Sequence, residues 1–254
     1  MKNLIRRILR KFDIDLIKLD KNVNTEIKFS ADIDLEAREI INQVENYTMT
    51  SVERLFSLIN ATRYISQNNI LGDFVECGVW KGGSMMATAY SLKNMGELDR
   101  NLYLFDTFEG MTPPSNNDIT YSNLEASKLL AESSKEDSSS IWCYSPLDEV
   151  KINITSTGYN PEKIHLIKGK VEETIPQCIP EKIALLRLDT DWYESTRHEL
   201  EHLFPRLVHG GVIIIDDYGH WKGCQQATDE YFQKNNIPIL LNRIDYTGRI
   251  AIKL

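Results

Sequence analysis

The sequence lacks the features that would place it in a secreted, membrane-spanning or nucleic-acid-binding class. Its four cysteines, Cys77, Cys143, Cys178 and Cys224, are dispersed and form no CxxC pair, so a reduced, cytoplasmic protein is the simplest reading. No apolar run approaches the ~20 residues needed to span a bilayer. The N-terminal MKNLIRRILRKF is too basic, and too short in its apolar core, for a signal peptide. Positive charge is in deficit: the formal net charge is −8, which argues against nucleic acid as the main partner. There is no GxGxxG fingerprint, no GK[ST] of a P-loop and no internal repeat. What remains is an ordinary globular composition, 42% hydrophobic and 26% charged over 254 residues, enough for one large α/β domain with a small extension.

Two apolar runs that end in acids organise the chain. Ile183–Leu188 stops at Asp189-Thr190-Asp191, and Val212–Ile215 stops at Asp216-Asp217. Short Leu/Ile/Val runs of this kind suit buried parallel strands. Ser195 to Leu207 has helical spacing, so the stretch reads as a βαβ unit. Both acidic clusters then lie at strand carboxyl ends, where open α/β sheets bind ligands. Earlier strands are expected at Asp73–Cys77, exiting at Gly78, at Leu102–Phe105, ending at Asp106, and at Ile164–Ile167. Helices are expected at Leu35–Asn46, Ser51–Gln67, Met85–Asn94 and Thr228–Lys234, and a final strand pair at Ile237–Ile244 and Arg249–Lys253. Residues 2–18 are amphipathic, with Leu4, Ile5, Ile8 and Phe12 opposite Arg6, Arg7, Arg10 and Lys11. That pattern fits a helical arm docked on the domain or a second copy, in a homo-oligomer, or a helix for a membrane surface. Residues 1–34 are therefore read as arm and linker and 35–254 as the domain. The Pro-, Ser- and Asn-rich insertion at about 112–145 is read as a lid.

The Gly-rich turn GVWKGGS, from Gly78 to Ser84, follows the first strand and lets a ligand approach backbone amides at a helix N-terminus. Asp106, ending the next strand, suits the ribose hydroxyls of an adenosine-containing cofactor. Glu76 beside the turn would repel a dinucleotide pyrophosphate but suits an ammonium or sulfonium group, which favours S-adenosylmethionine over NAD. Asp189, Asp216 and Asp217 offer hard oxygens for Mg²⁺, Mn²⁺ or Ca²⁺. Asp191 is left for proton transfer, with His220 as the alternative. His198-Glu199-Leu200-Glu201-His202 matches HExxH, but Leu200, Leu203, Phe204 and Leu207 define the buried face of that helix. Both histidines should therefore face solvent, and a metalloprotease is rejected.

GDFVECGVWKGGS, LYLFDTFEGM, LRLDTDWYEST, LVHGGVIIIDDYGHWKGCQQATDEYF and IDYTGRIAIK, in this order, resemble the macrocin O-methyltransferase family from about Leu35 onward. That family comprises metal- and S-adenosylmethionine-dependent sugar O-methyltransferases of macrolide and aminocoumarin antibiotics. The resemblance implies a class I methyltransferase (Rossmann-like) sheet, mostly parallel with an antiparallel C-terminal strand, and helices on both faces. It implies Mg²⁺ or Mn²⁺ at Asp189, Asp216 and Asp217, Asp191 as general base, and Tyr47-Thr48-Met49-Thr50 against the cofactor. A more distant similarity to catechol O-methyltransferase sets Gly169, Val171 and Glu172 beside the adenine and Trp192 where that enzyme has its catalytic lysine. The expected function is methyl transfer to a hydroxyl of a sugar or sugar-containing small molecule. A nucleotide-sugar dehydrogenase and a non-catalytic cofactor-binding homologue are the alternatives.

Overall fold

Among the described residues, seven strands form one sheet in the order β3-β2-β1-β4-β5-β7-β6. In chain order they are β1 (Asp73–Cys77), β2 (Leu102–Asp106), β3 (Ile164–Lys168), β4 (Ile183–Leu188), β5 (Leu207–Ile215), β6 (Asn242–Arg243) and β7 (Arg249–Ile252). The first five are mutually parallel, and β7 returns antiparallel to β5. This is the expected sheet, with β4 and β5 adjacent, Leu188 beside Ile215. The computed structural model describes residues 29–137 and 140–254. The amphipathic segment 2–18 lies outside the described residues. Residues 33–254 form one unit.

The helices of the described residues are α1 (Leu35–Val44), α2 (Val52–Gln67), α3 (Gly83–Asn94), α4 (Ala126–Glu132), α5 (Leu147–Ser156), α6 (Val171–Thr174), α7 (Tyr193–Leu203) and α8 (Lys222–Lys234). Strand alternation sends successive side chains to opposite faces. Val75, Cys77, Leu186, Leu188, Ile213 and Ile215 pack with Leu200, Leu203, Tyr231 and Phe232 of α7 and α8. The alternate residues, Glu76, Arg187 and Ile214 among them, face the side where α2 contacts β4 and β5. Two charged residues thus share one register row, Glu76 beside Arg187.

Several boundaries differ from the sequence expectation. The helix expected to reach Leu207 ends at Leu203, and Phe204–Arg206 tightens into a 3-10 turn, because Pro205 cannot donate the next helical hydrogen bond. β5 therefore begins at Leu207. α8 starts six residues before Thr228: Gly223, Cys224, Ala227 and Thr228 are buried at helical spacing, but they are too small or polar to read as an apolar face. The strand expected over Ile237–Ile244 shrinks to two residues, since Pro238 removes a ladder donor. α5 has Pro146 as its N-cap, and the Ser145 hydroxyl donates to Glu149. HELEH does not lie wholly outside. His198 and His202 are half-buried, but Glu199 is fully buried and accepts from Thr190 Oγ1 at 2.9 Å.

Candidate active site

The carboxyl ends of β1, β2, β4 and β5 open on a cavity of about 410 Å³. Its backbone is held in unusual places. Gly78 has φ 80°, and a Cβ there would meet the Asp189 carbonyl oxygen at 2.0 Å. The β1 exit therefore presses against the β4 exit only with glycine at 78. Gly83, opening α3, lies so close to Tyr47 that a Cβ would meet its carbonyl oxygen at 2.5 Å, which seats the Tyr47–Thr50 link over the helix start. Asp191 is a non-glycine residue in the left-handed region, φ 65°, a strained conformation that aspartate tolerates and that recurs at functional sites.

Tyr47, Thr50, Gly78, Ser84, Asp106, Gly169, Val171, Glu172, Asp189, Asp191, Asp216, Asp217 and His220 all line this cavity. Asp106 accepts from the amides of Val79 (2.7 Å) and Trp80 (3.2 Å) on one oxygen and Phe108 (2.6 Å) on the other. It ties the Gly-rich turn to β2 while still facing the cavity. Glu76 is the exception. It is 1% exposed and absent from the wall, its Oε1 accepting from Arg187 Nη1 at 2.5 Å. Burial lifts its carboxyl to about 7 against the pull of Arg187.

Asp189, Asp216 and Asp217 bring one carboxylate oxygen each within 4.8 Å of one another. Among the described residues they are the one such group of possible metal ligands. Asp217 Oδ2 is buried without a hydrogen-bond partner. Burial, then its like-charged neighbours, holds the Asp217 carboxyl well above the usual range. Burial does the same for Asp189, against the opposing pull of Arg187. Asp191 Oδ1 accepts from Trp221 Nε1 at 2.8 Å. Burial and the charge of Asp189 push its carboxyl to about 7. His220 packs edge-on against Trp221 (4.9 Å) and Tyr246 (6.2 Å), and burial followed by Arg54 lowers its pKa.

Two arginines were not foreseen. Arg187, 2% exposed, donates to Glu76, to Asp189 Oδ2 (2.7 Å), to Asp216 Oδ1 (2.7 Å) and to the Thr50 hydroxyl (3.0 Å). Arg54 donates to Asp216 Oδ2 and to Asp245 Oδ2. The one legible signal was Arg187 itself, a charge inside the apolar run of β4. The insertion covers one side of the cavity with Thr112, Ser140, Ile141 and Cys143. It is pinned by Asp118 Oδ1 accepting from the Tyr193 amide and by Trp192 Nε1 donating to Thr112.

A parallel sheet with an antiparallel last strand, an acid ending β2 and carboxylates ending β4 and β5 define a class I methyltransferase. The solved structure of the O-methyltransferase NovP superposes with a TM-score of 0.70 at 29% identity over 82% of each chain. The calicheamicin methyltransferase CalS11 shares the fold, with a TM-score of 0.59 at 18% identity over 92% of this chain and 97% of that one. The chain belongs to the macrocin O-methyltransferase (TylF) family, whose model matches residues 11–251. It is an O-methyltransferase, which sets aside the dehydrogenase and non-catalytic alternatives. The match begins ahead of Leu35, so residues 11–34 belong to the family pattern rather than outside it. Similar proteins include 8-demethyl-8-(2,3-dimethoxy-alpha-L-rhamnosyl)-tetracenomycin-C 4'-O-methyltransferase of Streptomyces olivaceus, 31% identical over 80% of this chain and 74% of that protein. Demethyldecarbamoylnovobiocin O-methyltransferase of Streptomyces niveus is 30% identical over the same shares. Among the described residues no helix is long and apolar enough to cross a membrane.

Proposed function

We propose that this enzyme methylates a hydroxyl of a sugar, or of a sugar-bearing small molecule, using S-adenosylmethionine and a divalent cation, Mg²⁺ or Mn²⁺. The supporting observation is that the Gly-rich turn, the β2 acid and the acidic cluster open on one cavity in a chain of this family. The relative from Streptomyces olivaceus is named for a rhamnosyl compound, which favours a sugar acceptor here.

The residues present fit both groups. Three hard carboxylates and the unpartnered Asp217 Oδ2 suit an oxygen-seeking cation. The Trp80 Nε1–H, buried and unpartnered on the cavity wall, offers a donor to the cofactor. When bound, the cation lowers the pKa of the acceptor hydroxyl and fixes its direction, and S-adenosylmethionine supplies an electrophilic methyl group.

The chain does the rest. Asp106 would hold the ribose hydroxyls, and Gly169, Val171 and Glu172 would flank the adenine. Tyr47, Thr50, Gly78 and Ser84 would enclose the methionine part, while Glu76 acts one layer back by holding Arg187 in place. Asp191, oriented by the hydrogen bond that Trp221 Nε1 gives to its Oδ1, takes the acceptor's proton. A carboxyl lifted towards neutrality is suited to that role. His220 serves as wall beside Trp221 and Tyr246. Positioning of hydroxyl and base contributes up to ~7–11 kcal/mol in favourable cases, and the 112–145 segment excludes water.

Methyl transfer to a panel of glycosylated natural products and to catechol, with and without chelator, tests this reading. Transfer to a glycoside that stops on chelation is expected. Transfer to catechol but to no glycoside would replace the sugar by an aromatic diol, and transfer unaffected by chelation would remove the cation.

A further inference from the structure

The acidic cluster already carries cations of its own, and they are held differently. Arg187 is locked: its side chain is 3% exposed and it has acceptors on four separate segments, Glu76, Thr50, Asp189 and Asp216. Arg54 is held at the edge. It rises from the first turn of α2 with 11% of its side chain exposed, and its guanidinium spans two carboxylates. Nη1 donates to Asp216 Oδ2, and Nε donates to Asp245 Oδ2 at 3.0 Å. Asp245 is well anchored without Arg54, because its Oδ1 caps the turn through the amides of Thr247 (2.9 Å) and Gly248 (2.7 Å) and Ser51 Oγ donates to Oδ2 at 2.7 Å.

Asp216 therefore has both oxygens engaged by guanidinium groups, Oδ1 by Arg187 and Oδ2 by Arg54, whereas Asp217 Oδ2 has no partner. A divalent cation drawing on all three aspartates needs an oxygen of Asp216, and the charge it brings repels both arginines. Arg187 has nowhere to go. Arg54 has a second carboxylate already in hand.

We propose that Arg54 is a resident stand-in for the divalent cation: it neutralises Asp216 while the site is metal-free and is displaced onto Asp245 when metal binds. This rests on the reading that Asp189, Asp216 and Asp217 hold a divalent cation. Arg54 is then a positioning residue that sets metal affinity through the exchange. Because Thr50, four residues earlier, lines the cavity and accepts from Arg187, the exchange also links metal loading to the segment expected to face the cofactor.

The two ends of the Arg54–Asp245 bridge give opposite predictions, which a merely structural bridge would not. Arg54→Gln removes the competitor and tightens metal binding. Asp245→Asn keeps Oδ1 for the turn amides but removes the fallback charge, so Arg54 clings to Asp216 and metal binding weakens. The full chain is titrated with Mn²⁺ alone, free Mn²⁺ being read by electron paramagnetic resonance, with thermal melting confirming that each variant is folded. Roughly 10-fold tighter binding by Arg54→Gln is expected, within the usual range of coupling between sites, together with weaker binding by Asp245→Asn. Binding by Arg54→Gln where the unaltered protein binds none supports the exchange too. Unaltered or weaker binding by Arg54→Gln, or a shift of both variants in the same direction, overturns the proposal but leaves the metal reading intact; no Mn²⁺ binding by any of the three overturns both.

Discussion

Asp191 combines a strained backbone, one oxygen held by Trp221 and a carboxyl lifted to about 7 by burial and Asp189. A group in this state accepts a proton without leaving its place. Asp191→Asn is expected to lower turnover by ~10²–10⁴-fold, the usual share of a positioned proton acceptor. Calorimetric affinity for S-adenosylhomocysteine should stay nearly unchanged, and equal loss of cofactor affinity would count against the role. Gly78 is decisive for a different reason. Its φ of 80° and its 2.0 Å approach to the Asp189 carbonyl leave no room for a side chain. Gly78→Ala should destabilise the fold by roughly 1–3 kcal/mol from backbone strain alone, more with the clash. Denaturant melts would measure this. Glu76, plausible from sequence as a cofactor ligand, lies behind the cavity wall for another reason: it shares a register row with Arg187 of the neighbouring strand, and its carboxylate meets that guanidinium.

At the scale of elements, α1 shows how a cap and an ion pair act together. Asp34 accepts from the Ala37 amide at 2.9 Å and meets Arg63 of α2 at 2.6 Å. The hydrogen bond from Arg63 chiefly holds its carboxyl at about 2, below the ordinary 3.8. A carboxyl whose folded pKa is depressed stabilises the fold fully above 3.8 and loses that contribution as pH falls from there through about 2. Unfolding free energy followed from pH 5 downward should fall less steeply in Asp34→Asn than in the unaltered protein. The effect is small because the pair is solvent-exposed. Asp34→Ala should cost about 1 kcal/mol at neutral pH through the lost cap. The elements themselves were legible wherever apolar periodicity was strong, as in β1, β2, β4 and α2. They were misjudged where small buried residues hide a helical face, as at the start of α8, or where one proline cuts a pattern, as at Pro205 and Pro238.

For the whole molecule, the charge around the cavity is partly compensated from within. Arg187 and Arg54 pair with Glu76, Asp189 and Asp216, so folding is expected not to require an added cation. Chelation is expected to abolish methyl transfer reversibly while the melting temperature moves by no more than about 4 °C, the shift that loss of a weakly held ion produces. Calorimetric melting with and without chelator checks this, and outright unfolding would contradict it. The sequence by itself determined the sheet type, the position of both acidic clusters at strand ends and the family, because each is written in local patterns: apolar runs, the residues that end them, and ordered motif blocks. Only the tertiary structure decided what those acids face. Arg187 and Glu76 lie 111 positions apart, and Arg54 and Asp216 162 apart. Pairing at such separations is set by strand register and by the docking of α2, neither of which leaves a periodic trace along the chain. The burial of Glu199 beside Thr190 was likewise decided in three dimensions, by which face of α7 packs on the sheet: Ser195, Thr196, Glu199, Leu200 and Leu203.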